Sequence, residues 1–84
     1  MNVESETELL KLLNEVLRHK GRPEVSSVED TVRLRGGLQL NSLDLAELTV
    51  RIEERFGVDV FSDGVVQHWG EIRRRVNGHV ERRN

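Results

Sequence analysis

Residues 38–60 read LQLNSLDLAELTVRIEERFGVDV, and this stretch decides the fold. Stepped at about 100° per residue, Leu45, Leu48, Thr49, Ile52 and Phe56 fall in one sector, the buried stripe of an amphipathic helix. Asn41 is a favourable N-cap, and Asp44 three residues on places a carboxylate at the positive end of the helix dipole. Gly57 ends the run, so a second helix is predicted over about 42–56, with Val58–Val60 extended behind it. The opposite side carries Leu43, Glu47, Val50, Arg51 and Glu54. Apolar anchors interleaved with acids have the makeup of a docking strip, although single exposed apolar residues are ordinary on any surface.

Upstream, Ser5 and Glu8 have capping-box spacing. Leu9, Leu12, Leu13, Val16 and Leu17 then recur at helical spacing, until Lys20-Gly21 and Pro23 stop them. That predicts helix one over about 5–20. Residues 21–41 form a long connection with Val25, Val28, Val32, Leu34, Leu38 and Leu40 scattered through it, so it is expected to pack across a core, with a turn near 28–31. Downstream, 62–66 is expected to be a short turn or helix. Trp69, Ile72 and Val76 define a last helix over about 68–77, with Asn77-Gly78 as its stop and 78–84 as a mobile tail. No segment alternates at period two. The expected fold is therefore a small all-α bundle of three main helices in one domain, residues 1–84.

Composition narrows the function. The chain has 84 residues, no cysteine and a net charge of -2. No run approaches the roughly 18 apolar residues that span a bilayer. The acidic N-terminus does not resemble a leader peptide, and a cytoplasmic protein with no membrane partner is expected. Arg73, Arg74, Arg75, Arg82 and Arg83 cluster near the end, but the chain has just three aromatics and no nucleic-acid reading head; these arginines read as a solvated helix face and tail. His19, His68 and His79 have neither metal-ligand spacing nor a triad context, so neither a metal site nor a catalytic residue is predicted.

Ser42 sits just inside the second helix. On the residues alone two readings stand: it assists Asn41 in capping, or its hydroxyl carries an anionic ester that suits the positive helix end.

The string Asn41-Ser42-Leu43-Asp44-Leu45, the helix closing in Phe56-Gly57 and the aliphatics Val58 and Val60 resemble the acyl carrier protein family. The likeness extends over the first helix, the long loop and the Trp69–Ile72 helix start. It implies that Ser42 bears a 4′-phosphopantetheine arm, added from coenzyme A by a phosphopantetheinyl transferase. The arm's thiol would hold an acyl group, which explains how a chain without cysteine takes part in thioester chemistry. By the same likeness, Leu43, Asp44, Glu47, Val50, Glu53 and Glu54 would meet partners such as ketosynthases, acyltransferases or ligases, with the carrier itself a monomer.

Two departures stand out. Asn41 replaces the family's usual aspartate, and Arg51 and Arg55 dilute the acidic helix. With the short 61–68 segment they point to a carrier of specialised, polyketide-like metabolism rather than the housekeeping type. An aminoacyl or peptidyl carrier and an unmodified interaction module of the same fold are the alternatives.

Overall fold

In the computed structural model, which describes residues 3–62, 64 and 66–83, α1 spans Val3–His19, α2 Ser42–Phe56 and α3 Trp69–Arg83. Among the described residues there are three helices and no strands, so the all-α expectation holds.

The first helix starts earlier than the sequence indicated. Ser5 is not its cap but lies within its first turn, buried, behind Glu4. Glu4 and Glu6 place negative charge where the helix dipole favours it. The end is as expected. Gly21 N–H donates to the Arg18 carbonyl and Arg22 N–H to that of Leu17, the paired bonds of a Schellman stop.

Each helix turns one apolar stripe inward. Leu9, Leu12, Leu13, Val16 and Leu17 of α1 meet Leu48, Ile52 and Phe56 of α2 and Trp69, Ile72 and Val76 of α3. Leu34, Leu38 and Leu40 from the first connection, and Val60 and Val66 from the second, complete the core. Leu45 of α2 stays half-buried, packed against its edge.

The first connection, 20–41, is held at both sides. Asn14 on α1 pairs with the backbone of Val25 as a strand neighbour would, donating to its carbonyl (2.9 Å) and accepting from its N–H (2.8 Å). A turn closes at Glu29–Val32. Beyond it, Leu34 N–H donates to Gln67 O, Trp69 N–H to Val32 O and Gly70 N–H to Asp30 O, around an isolated bridge between Arg33 and His68. A side chain at 70 would place its Cβ 2.6 Å from that of Asp30, so only glycine lets the loop come this close.

After α2, the turn-or-helix expectation resolves to a turn, and the expected end of the last helix changes. Between helices the chain makes a turn starting at Asp59, with Ser62 N–H on the Asp59 carbonyl and Gly64 N–H on that of Phe61; no helix forms among the described residues of 62–66, and Asp63 and Val65 lie outside them. The last helix does not stop at Asn77 and release a tail: it runs on to Arg83, with Asn84 outside the described residues. The reason is tertiary. Asn77 is buried and donates to Glu6 Oε1 of α1 (3.1 Å), so its amide is not available to terminate the helix, and Val80 packs on the core edge.

Two arginines of this helix, Arg73 and Arg75, are structural rather than solvated, whereas Arg74 is exposed as expected. Arg73 reaches Glu6 (2.6 Å from Nη2) and also bridges to Asp30, joining α3 to α1 and the loop. These acids, Asp30 first and then Glu6, hold its guanidinium above its ordinary pKa. Arg75 donates to the Val60 carbonyl.

Candidate functional site

The start of α2 is built by reciprocal capping. Asn41 Oδ1 accepts from Asp44 N–H (2.9 Å), and Asp44 Oδ2 accepts from Asn41 N–H (2.9 Å). This closes two of the free donors at the helix end without Ser42. The serine hydroxyl is left exposed, and its one recorded bond is from Arg35 Nη2, 2.9 Å from Oγ. The capping role for Ser42 therefore falls away, and a nucleophilic oxygen stands at the surface beside a cation.

Asp44 departs from its sequence-based placement. Rather than facing partners it is buried, 8 % exposed, with Lys20 from the end of α1 closing on its carboxylate. Burial alone would raise its pKa; the Lys20 bond, the Asn41 N–H and the Lys20 charge outweigh it and hold the carboxyl below its ordinary value. Lys20 also donates to the Gln39 carbonyl (3.0 Å), and Arg22 to the Gln39 side chain. Gln39 is held with positive φ of 57°, the strained backbone position immediately before the helix entry. Lysine and arginine from the α1 stop thus clamp the approach to Ser42.

The remaining residues of the predicted docking strip lie outward. Leu43 is 78 % exposed and Val50 54 %, and with Ala46, Glu47, Arg51 and Glu54 they line an open groove of about 520 Å³. Its charges are not equivalent. Glu47 is tied to Arg51 (2.9 Å) and to His19 (2.8 Å), and Arg51 reaches across to Glu15 of α1 (2.5 Å). Glu53 and Glu54 are exposed, with no ion pair recorded among the described residues. Arg55, the other arginine of the helix, pairs with Glu8 (3.3 Å) and lies over the Phe56 ring. Both arginines are engaged in joining α2 to α1.

From the sequence, Arg35 has no role and Lys20 only that of ending α1. Arg35 lies in an aperiodic loop, and the partner of Lys20 is 24 positions away. No pattern of spacing reports either contact.

Among the described residues no group of three His, Asp or Glu side chains is placed to hold a metal, and no helix is long and apolar enough to cross a membrane. What fold and site define is a small helical bundle that presents one exposed serine at a helix start, the design of a carrier domain. Compared with known families, residues 7–69 match the phosphopantetheine attachment site, and the chain belongs to that family, in line with its likeness to acyl carrier proteins. Covalent 4′-phosphopantetheine is its prosthetic group. Neither a curated protein nor a solved structure matches the chain.

Proposed function

We propose that Ser42 is the attachment point and that the protein is an acyl carrier, holding acyl groups on the arm and presenting them to biosynthetic enzymes. The observation that carries this reading is the Asn41–Asp44 box, which caps α2 on its own and leaves the Ser42 hydroxyl exposed beside Arg35. Of the other serines within the family match, Ser62 donates to the Asp59 carbonyl, and Ser26 and Ser27 lie in the first connection away from any helix start. The residues present fit the group: an accessible oxygen, with an arginine within reach of a phosphate attached to it. The arm supplies the thiol that binds acyl cargo as a thioester; the chain supplies the anchor and the surface.

The partner surface in this reading is Leu43, Val50, Glu53 and Glu54, with Glu47 at its edge. The apolar pair gives contact area, and the two exposed acids, Glu53 and Glu54, give steering toward basic partners: a phosphopantetheinyl transferase, then acyl-loading and acyl-processing enzymes. The carrier acts as a cytoplasmic monomer without catalysis of its own. The charge pattern favours specialised metabolism, because Arg51 neutralises Glu47 and Asn41 removes an acid beside the serine.

Incubation with coenzyme A and a broad-specificity transferase, followed by intact-protein and peptide mass spectrometry, tests the assignment. One phosphopantetheine is expected on the peptide containing Ser42 and none on Ser42→Ala. A gain that survives the substitution places the arm elsewhere.

A further inference from the structure

The loop that carries Arg35 is built to hold it still. Leu34 is buried at 1 % exposure, and Leu38 and Leu40 are buried behind it. Gly37 N–H and Leu38 N–H both donate to the Arg33 carbonyl, and Leu40 N–H donates to that of Leu34. A Cβ on Gly37 would stand 2.7 Å from the Arg33 oxygen, so the turn closes as tightly as it does only with glycine there. Arg35 therefore projects from a segment anchored on both sides, and its guanidinium meets Ser42 Oγ at 2.9 Å.

Its charge is unspent. Of the other cations near it, Lys20 is spent on Asp44 and Arg22 bonds the neutral side chain of Gln39, neither of them on Ser42, and Arg33 shares the turn with no side-chain partner recorded among the described residues. For Arg35 the one recorded partner among the described residues is a neutral hydroxyl. A guanidinium offers five N–H donors in a planar fork suited to phosphate oxygens. In a phosphodiester on Ser42 the phosphorus would lie one bond, and its non-bridging oxygens two bonds, beyond the atom that Arg35 already touches. The same arginine also forms part of a groove of about 250 Å³ with Arg33, Leu34, Gly36, Val66 and Gln67.

We propose that Arg35 binds the phosphodiester of the arm on Ser42, fixing the first bonds of the prosthetic group against the 33–38 turn instead of leaving them free in solvent. Arg35 is a positioning residue that meets the prosthetic group, and the proposal rests on Ser42 being the attachment point.

The test compares wild type, Arg35→Gln and Arg35→Lys, each loaded from coenzyme A, with loading first confirmed on the Ser42 peptide by mass spectrometry. The ³¹P resonance of the phosphodiester is then followed from about 0.01 M to about 1 M NaCl, over which the screening length falls from about 30 Å to about 3 Å. In low salt the wild-type line is expected to be displaced from that of Arg35→Gln. Arg35→Lys should lie between them, and the difference should vanish at high salt. The Arg35 Nε–H signal, identified by its absence in Arg35→Gln, should shift when the wild type is loaded.

If loaded wild type and Arg35→Gln share one ³¹P position and one salt response, Arg35 does not bind the phosphate and the proposal falls, while Ser42 stands. If the wild type gains no mass, or Ser42→Ala still gains it, the attachment reading falls and takes the proposal with it. Loss of loading in both Arg35 variants, with wild type loaded, would assign Arg35 to recognition by the transferase and overturn the phosphate role.

Discussion

The starts of α2 and α3 use the same local device and put it to opposite ends. At α2, Asp44 at the third helical position reaches back to Asn41 N–H; at α3, Glu71 at the third position reaches back to His68 N–H (3.1 Å) and also accepts from Gln67 N–H and His68 Nδ1. In each case the residue at the first helical position is spared from capping. In α3 that residue is Trp69, 3 % exposed, under a loop fixed by the Arg33–His68 bridge. In α2 it is Ser42, in the open. What separates the buried position from the exposed one is not the cap but what lies over it: the first connection packs across the start of α3, whereas at the start of α2 it leaves Ser42 exposed with Arg35 beside it.

The largest expected effects come from exchanging these roles. Trp69→Ala should lower unfolding free energy by about 3–5 kcal/mol, since it empties a large buried volume. Ser42→Ala should change stability by under about 0.5 kcal/mol, as surface substitutions away from caps do. Denaturant unfolding of both, beside the mass assay, separates a residue that holds the fold from one that uses it. A stability loss at Ser42 comparable to that at Trp69 would break the contrast.

Gly70→Ala comes next. The added Cβ meets Asp30 at 2.6 Å from its Cβ and 3.0 Å from its carbonyl oxygen, so loop and helix must part. A loss of about 1–3 kcal/mol is expected, as for other overpacked positions. Amide exchange should quicken at Trp69 and Gly70, whose N–H groups close the loop, while Asp44 N–H at the other helix start stays protected. Equal loosening of both starts would mean that the loop couples them.

How far the chain could be read in advance follows the range of each contact. The inward faces were legible because helical periodicity is local: Leu48, Ile52, Phe56, Ile72 and Val76 are buried as their spacing indicated. The outward placement of Leu43 and Val50 was legible for the same reason. Asp44 was misplaced because its burial depends on Lys20, which the α1 stop delivers from elsewhere in the chain. Asn77-Gly78 reads locally as a stop, but the Asn77 amide is taken by Glu6, 71 positions away, and the helix continues. Arg35 sits in a turn without period, and only the packing of Leu34 and Leu38 aims it at Ser42. Inward residues were fixed by pattern, whereas the polar surroundings of the site come from pairings that no pattern encodes.

The acid side of the comparison is the next prediction. The Asp44 carboxyl is held below its ordinary value of 3.8 by Lys20 and Asn41 against the cost of burial. A depressed folded-state pKa means that its contribution is present above the unfolded value and is lost as pH falls through the folded one. Wild type should therefore lose stability at the α2 start below about pH 4, beginning near the ordinary carboxylate range. Asp44→Ala should be about 1 kcal/mol less stable at neutral pH through loss of its half of the cap. It should also show a shallower decline into acid. The measurement is urea unfolding across pH; a variant that declines as steeply as wild type assigns the acid response to other carboxylates. At α3 the Glu71 carboxyl is also lowered, through the His68 bond first and then the Gln67 N–H, so its signals should titrate in the same direction.

The smallest effect expected is at Asn41, the departure from the family's usual aspartate. Asn and Asp cap helices about equally well, and the helix dipole favours the charged form by roughly 0.3–1 kcal/mol. In this chain the new carboxylate would lie beside Asp44, whose Oδ2 already accepts from the backbone N–H of residue 41, and that proximity works against it. The two should nearly cancel, leaving Asn41→Asp within about 0.5 kcal/mol of wild type in urea unfolding. The difference should appear in the electrostatics of the serine instead. With asparagine, the uncompensated charge next to Ser42 is that of Arg35; with aspartate, an acid adjoins the hydroxyl. If Arg35 meets the phosphodiester, Asn41→Asp should move the ³¹P line of the loaded protein toward that of Arg35→Gln at low salt, since a neighbouring negative charge weakens the hold on a phosphate. An unchanged line would confine Asn41 to capping.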